Sequence, residues 1–197
     1  MRPSLISALL ALALSGSAIA VTLTPDQVAT VKRTESQRYL LSQEAFDFKS
    51  KDPAQTLLID VRTLAELQFV GYTSLMDGNV PYLTYDYTDW DTKTNEYKRD
   101  FNSGFVGQVE TLMAKAGLAG KKDVRIILMC RSGDRSARAA DLMGKSGYTN
   151  VWSALEGFEG DKAKDGPNKG KRVVNGWKNA NLPWTYDLDK NKAAFAY

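Results

Sequence analysis

The stretch Val124 to Gly147, VRIILMCRSGDRSARAADLMGKSG, restricts the fold more than any other part of the chain. Val124, Ile126, Ile127, Leu128 and Met129 form a short apolar, β-branched run of the kind that makes a buried strand. Arg131-Ser132-Gly133-Asp134 cannot continue such a strand, so the backbone must turn there. From Arg135 the pattern becomes helical: Ala139, Leu142 and Met143 share one apolar face, and Lys145 and Gly147 supply a basic last turn and a stop. The unit is strand, tight loop, helix, and the only cysteine of the chain, Cys130, stands at its first bend.

That position has chemical weight. Loop N–H groups backed by the first turn of a helix favour negative charge in the space above the sulfur, and Arg131 and Arg135 add formal positive charge. Both favour the thiolate, which is the nucleophilic form. The plainer alternative is an inert thiol at a strand end, a common place for one. Two arginines and a glycine within the next five residues weigh against it. The chain contains no histidine. Ser-His-Asp and Cys-His catalysis and the usual zinc sites are therefore excluded.

The loop Cys130-Arg131-Ser132-Gly133-Asp134-Arg135-Ser136 resembles the active-site loop of the rhodanese family of sulfurtransferases: Cys, Arg, a small residue, Gly, any residue, Arg, Ser. The resemblance implies that Cys130 takes a sulfane sulfur from a donor such as thiosulfate, holds it as a persulfide, and passes it to cyanide or a thiol. Arg131 and Arg135 would hold the donor's charge. Ser132, Gly133 and Asp134 would shape the loop, with Ser136 capping the helix. Cysteine-dependent phosphatases and arsenate reductases place five residues between Cys and Arg, whereas residues 131–134 leave four here. Two other classes stay open beside a sulfurtransferase: a hydrolase using the same cysteine, and a non-enzymatic sulfur carrier or partner-binding module. No cofactor or metal is implied.

The first residues read as a targeting segment. Arg2 is a short positive region, Leu5 to Leu14 an apolar stretch too short to span a bilayer, and Ala18-Ile19-Ala20 a small-x-small cleavage site. Residues 1–20 are thus expected to be a cleaved signal, with a periplasmic or secreted protein, free of the membrane, starting at Val21. Residues 21–197 are then expected to form one domain. In an oxidising compartment a lone cysteine has no internal disulfide partner, which favours a reagent over a staple. Charge is scattered at a formal +3 with no basic stripe, so nucleic acid is not an expected partner. The expected partners are a small anionic donor, a thiol or cyanide-type acceptor, and a periplasmic protein.

Along the chain, Thr24 and Pro25 mark a helix entry, and Ser42 to Lys49 reads as a helix. Leu57-Leu58-Ile59-Asp60-Val61-Arg62 resembles a second rhodanese signature, a strand followed by a short helix over Thr63 to Phe69. At the carboxyl edge of a parallel sheet, Asp60 and Arg62 would lie near the Cys130 loop and brace it, or form a structural ion pair. Where the family has Gly-His-Ile-Pro-Gly-Ala, this chain has Gly71-Tyr72 and, further on, Asn79-Val80-Pro81-Tyr82-Leu83, with Val80 to Thr84 a short strand. Residues 85–103 lack a clear period and read as a surface insertion. Its aromatics (Tyr85, Tyr87, Trp90, Tyr97 and Phe101) either roof the site, bind a partner, or pin the insertion down. Phe105 to Ala116 is amphipathic, and Asn150 to Leu155 is the next strand. Residues 160–175 form a Lys- and Gly-rich insertion, expected to be a mobile basic loop. Gly176-Trp177 to Leu182-Pro183-Trp184 then resembles the family's terminal segment. The alternation gives an α/β fold, a rhodanese-like parallel sheet of about five strands with helices on both faces.

Overall fold

The computed structural model describes residues 23–193. The expected signal segment, residues 1–20, lies outside them. The elements, in chain order, are β1 (Tyr39–Leu40), α1 (Ser42–Lys51), β2 (Thr56–Asp60), α2 (Leu64–Val70), β3 (Gly78–Asn79), β4 (Leu83–Asp91), β5 (Glu96–Phe101), α3 (Phe105–Lys115), β6 (Arg125–Met129), α4 (Asp134–Lys145), β7 (Val151–Ala154) and α5 (Lys190–Ala193). Five strands form one sheet in the order β1-β7-β6-β2-β3, and all its pairs are parallel. β6, which delivers Cys130, lies at the centre.

The apolar runs of β2 and β6 are continuous because both faces of the sheet are covered. Leu57, Ile59, Ile126 and Leu128 point to the face packed by Phe105, Val109 and Met113 of α3 and Ala139, Ala140 and Met143 of α4. Their neighbours Leu58, Ile127 and Met129 point the other way, onto Ala45 of α1, Leu67 of α2 and the fully buried Trp177. The period-2 alternation of a strand thus serves two cores at once. The chain beyond Trp177 crosses the second face: Tyr72 and Thr185 exchange backbone hydrogen bonds at 2.9 and 2.8 Å, and the Tyr72 hydroxyl donates to Asp187 O at 2.8 Å.

Four local expectations shift. The entry at Thr24 and Pro25 makes only a single 3-10 turn, Pro25–Gln27, with Thr24 N donating to Gln27 Oε1 at 2.9 Å. The strand expected at Val80 to Thr84 is split: the pairing with β2 falls at Gly78–Asn79, and Leu83 and Thr84 open β4 beyond Pro81. The Val80 and Tyr82 amides still reach Asp60 O and Val61 O, at 2.8 and 3.0 Å. The insertion at 85–103 is an antiparallel hairpin of β4 and β5. The basic insertion at 160–175 is tied by its own backbone, with Ala163 N to Lys171 O at 2.9 Å and Gly170 N to Ala163 O at 2.8 Å. Its base is fastened by the Lys32–Asp161 ion pair at 2.8 Å. No helix among the described residues is long and apolar enough to cross a membrane.

Candidate active site

Cys130 follows the last residue of β6, at the carboxyl edge of the sheet where open α/β folds bind ligands. Its backbone is held from the β7 side. Phe158 N donates to Cys130 O at 2.8 Å, and Glu159 N and Gly160 N donate to Arg131 O at 2.9 and 3.2 Å. This turn needs glycine at 157, where φ is +67° and a Cβ would fall 2.5 Å from Arg131 C and Ser132 N.

The loop then reverses at Gly133, whose φ of +96° favours glycine strongly. That conformation aims the Gly133 amide at the sulfur, with N to Sγ 3.1 Å. Helix α4 starts at Asp134, one residue earlier than the periodicity suggests, with Gly133 as N-cap. Ser136 therefore does not cap the helix with its side chain. It is buried below the sulfur, with Oγ 3.6 Å from Sγ and donating to Gly133 O at 3.1 Å, while Ser153 Oγ donates to it at 3.1 Å.

Cys130 is only 1% exposed, and its back belongs to the core beneath α3 and α4. Cys130 is also one of the residues lining a cavity of about 40 Å³. Arg131, Ser132, Asp134 and Arg135 line one side of this cup. Leu83, Tyr85 and Arg99 of the hairpin line the other. The hairpin therefore roofs the site through Tyr85, while Tyr87, Trp90, Tyr97 and Phe101 stay exposed. Leu83, Arg99 and Ser153 carry no local signal in the sequence.

Arg135 does not stand free. Its Nη1 and Nη2 each lie 2.6 Å from an oxygen of Glu66, a bidentate pair whose partners are 10% and 14% exposed. Burial opposes the charge on Glu66, but the hydrogen bonds and charge of Arg135 prevail and hold its carboxyl down to about 2. Burial likewise opposes the charge on Arg135, and Glu66 raises its affinity for the proton. Glu66 also closes the capping box of α2, accepting from Thr63 N at 3.0 Å. The Thr-x-x-Glu spacing makes that cap readable from sequence. The second contact, 69 residues away, is not.

Asp60 and Arg62 form a fully buried ion pair, with Nη2 to Oδ2 2.7 Å. The Arg62 guanidinium lies 4.0 Å over the ring of Phe158, whose amide holds Cys130 O. The pair reaches the loop through that turn. The basic insertion brings Arg172 beside it, with Nη1 donating to Gly160 O at 2.6 Å. Burial, then repulsion from Arg131, lowers the affinity of Arg172 for its proton.

A parallel five-stranded α/β sheet that presents a thiol on a strand-to-helix loop, with an amide aimed at the sulfur, defines a sulfurtransferase-type fold. The rhodanese-like domain model matches residues 42–164, and the chain belongs to that family. An uncharacterized protein of Rickettsia conorii is 33% identical over 153 residues, covering 77% of this chain and 99% of that one. A Rickettsia prowazekii counterpart, also uncharacterized, is 32% identical over 66% of this chain and 82% of its own. The solved structure of Rv0390 from M. tuberculosis is similar at a TM-score of 0.54 and 25% identity, covering 76% of this chain and 99% of its own.

Proposed function

We propose that this chain is a sulfurtransferase that carries a sulfane sulfur on Cys130 as a persulfide. The observation that carries the reading is the Gly133 amide 3.1 Å from the sulfur of Cys130, a residue that lines a cup of about 40 Å³. A cavity of that size has room for one or a few atoms, since about 10–15 Å³ suffices for a water. It suits the outer sulfur of a donor better than a whole tetrahedral oxyanion.

The Cys130 thiolate attacks the outer sulfur of an anionic donor such as thiosulfate. The Sγ–S bond forms, the donor's S–S bond breaks, and sulfite leaves with the bonding pair. The Gly133 amide stabilises sulfur-centred charge, as an oxyanion-hole donor does for oxygen. Arg131, with a buried Nε that lacks a hydrogen-bond partner, and Arg99 supply the positive field for the donor's anionic end. Arg135 contributes charge largely offset by Glu66, so its main role is to fix the wall of the cup. A thiophilic acceptor such as cyanide or a thiol then takes the sulfur and restores the thiolate. With thiolate or cyanide anion as the reacting forms, neither half-reaction moves a proton, so the chemistry does not call for a histidine.

Incubation with thiosulfate should add the mass of a single sulfur atom to the intact protein, and Cys130→Ser should gain nothing. Equal gain in that variant would refute the proposal. Loading without turnover to cyanide or thiols would identify a sulfur carrier rather than an enzyme. Export belongs to the same proposal and rests on the 1–20 segment. N-terminal sequencing of protein secreted by a bacterial host should begin at Val21.

A further inference from the structure

The wall behind Gly133 is made by a residue far away in the chain. Lys32 closes a 3-10 turn, Thr30–Lys32, that packs on α4, and its side chain is buried there. A Cβ placed on Gly133 would fall 2.9 Å from Lys32 Cδ. The aliphatic stem of the lysine therefore lies directly on the glycine whose amide meets the sulfur.

The ammonium at the end of that stem is 2.8 Å from both oxygens of Asp161. Asp161 is itself fixed. Its amide donates to Asn175 Oδ1 at 2.8 Å, and Asn175 Nδ2 donates back to Asp161 Oδ2 at 3.2 Å. The residue before it, Gly160, holds Arg131 O through its amide at 3.2 Å. The path is closed: it leaves the Cys130 loop at Gly133, runs through the Lys32 stem and the ion pair, and returns to the loop at Arg131.

Stability does not account for this bridge. The two side chains are 11% and 41% exposed, and a pair open to water on one side contributes little to folding. Geometry does account for it. A hydrogen bond weakens steeply once its donor tilts away, and a group that stabilises reacting charge must be held within about 0.5 Å of its productive position. Gly133 has no side chain by which it could be gripped. We infer that Lys32 and Asp161 are positioning residues: their bridge clamps residues 131–133 and keeps the Gly133 amide aimed at Sγ. The inference rests on the sulfur-transfer reading and gives a task to two segments outside the loop, the Thr30–Lys32 turn and the insertion at 160–175. Neither side chain lines the cup, so both act through the loop.

Lys32→Met combined with Asp161→Asn tests the clamp. It keeps a stem over Gly133 and removes both charges together, leaving the net charge unchanged. Misplacing a reacting group by about 1 Å can cost about a hundredfold in rate. The maximal rate of sulfur loading from thiosulfate, read by intact mass, should therefore fall at least about tenfold, with the half-saturating concentration and the circular dichroism spectrum retained. Hydrogen exchange, read by mass spectrometry, should quicken in peptides covering 130–135. Lys32→Arg, which can still reach both oxygens, should keep the wild-type rate and exchange. Should the double variant not fold, Asp161→Asn alone carries the same two readouts. A maximal rate within about twofold of wild type, a loss confined to half-saturation, or exchange that quickens only around 30–32 and 161 overturns the inference. An equal loss in Lys32→Arg also overturns it, because the ion pair survives there. A parent that loads and a double variant that matches it sink the clamp alone, whereas quickened loop exchange in a protein whose parent never gains sulfur sinks sulfur transfer and the clamp's purpose with it.

Discussion

Replacing Glu66 by Gln should cost this protein about 3 kcal/mol at neutral pH. The substitution keeps a side-chain oxygen for the Thr63 amide, since Gln also serves at that position of a capping box. What it removes is the charge facing Arg135. The fall of the Glu66 carboxyl from 4.5 to about 2 corresponds to roughly 3 kcal/mol of stabilisation. Both side chains are well shielded from solvent, at 14% and 10% exposure, so screening takes away little of it. A second route agrees: stripping one partner from a buried ion pair costs about 3–5 kcal/mol, because the other charge is left uncompensated. The sign fixes the pH window. A carboxyl whose folded value is depressed stabilises the protein above its ordinary value of 4.5, and that contribution is lost as pH falls through about 2. Urea denaturation of both proteins between pH 7 and pH 2 reads the effect directly. The gap between them should be about 3 kcal/mol at pH 7 and should close across the acid range. A gap under about 1 kcal/mol at pH 7, or one that stays constant into acid, would show that the Glu66–Arg135 contact does not hold the cup wall.

Two further substitutions address the sulfur itself. Gly133→Ala would force a Cβ to within 2.1 Å of Leu155 O at a φ of +96°; it should lower stability by at least about 2 kcal/mol and cut sulfur loading sharply, and wild-type loading with wild-type urea resistance would refute the role given to that amide. Ser153→Ala removes the hydroxyl that donates to Ser136 Oγ at 3.1 Å; it should cost only about 1 kcal/mol, yet slow loading several-fold with a changed pH profile, and an unaltered profile would make that hydroxyl pair purely structural.

Local patterns carried the reading of the sequence where contacts are local. The run from Val124 to Gly147 contains its own strand, turn and helix, and Gly133 marks the reversal by residue type alone. Thr63 and Glu66 announce the start of α2 in the same way. The hairpin was harder to see for a physical reason. Leu83, Tyr85 and Tyr87 do alternate, but the pairing register shifts between Asp86 and Trp90, so the aromatic pattern falls out of phase. Asn95, with φ of +55°, turns the hairpin without a glycine to signal it. The residues that complete the cup, Leu83, Arg99 and Glu66, come from segments distant in sequence, and only the folded sheet brings them to Cys130. The basic insertion misled through its composition: its lysines are exposed, but Lys32 and the insertion's own backbone bonds hold it in place.

The recessed sulfur has a consequence for survival among oxidants and other proteins. A protein disulfide requires two Cα atoms about 4.4–6.8 Å apart. Cys130 is 1% exposed, and the narrow cavity it lines is bounded by Leu83, Tyr85, Arg99 and the start of α4. Another protein's cysteine is shut out by bulk, while a sulfur at the tip of a slender molecule can still pass. Under the proposed function, that shape would keep an unpaired thiol open to slender reactants and closed to accidental cross-linking.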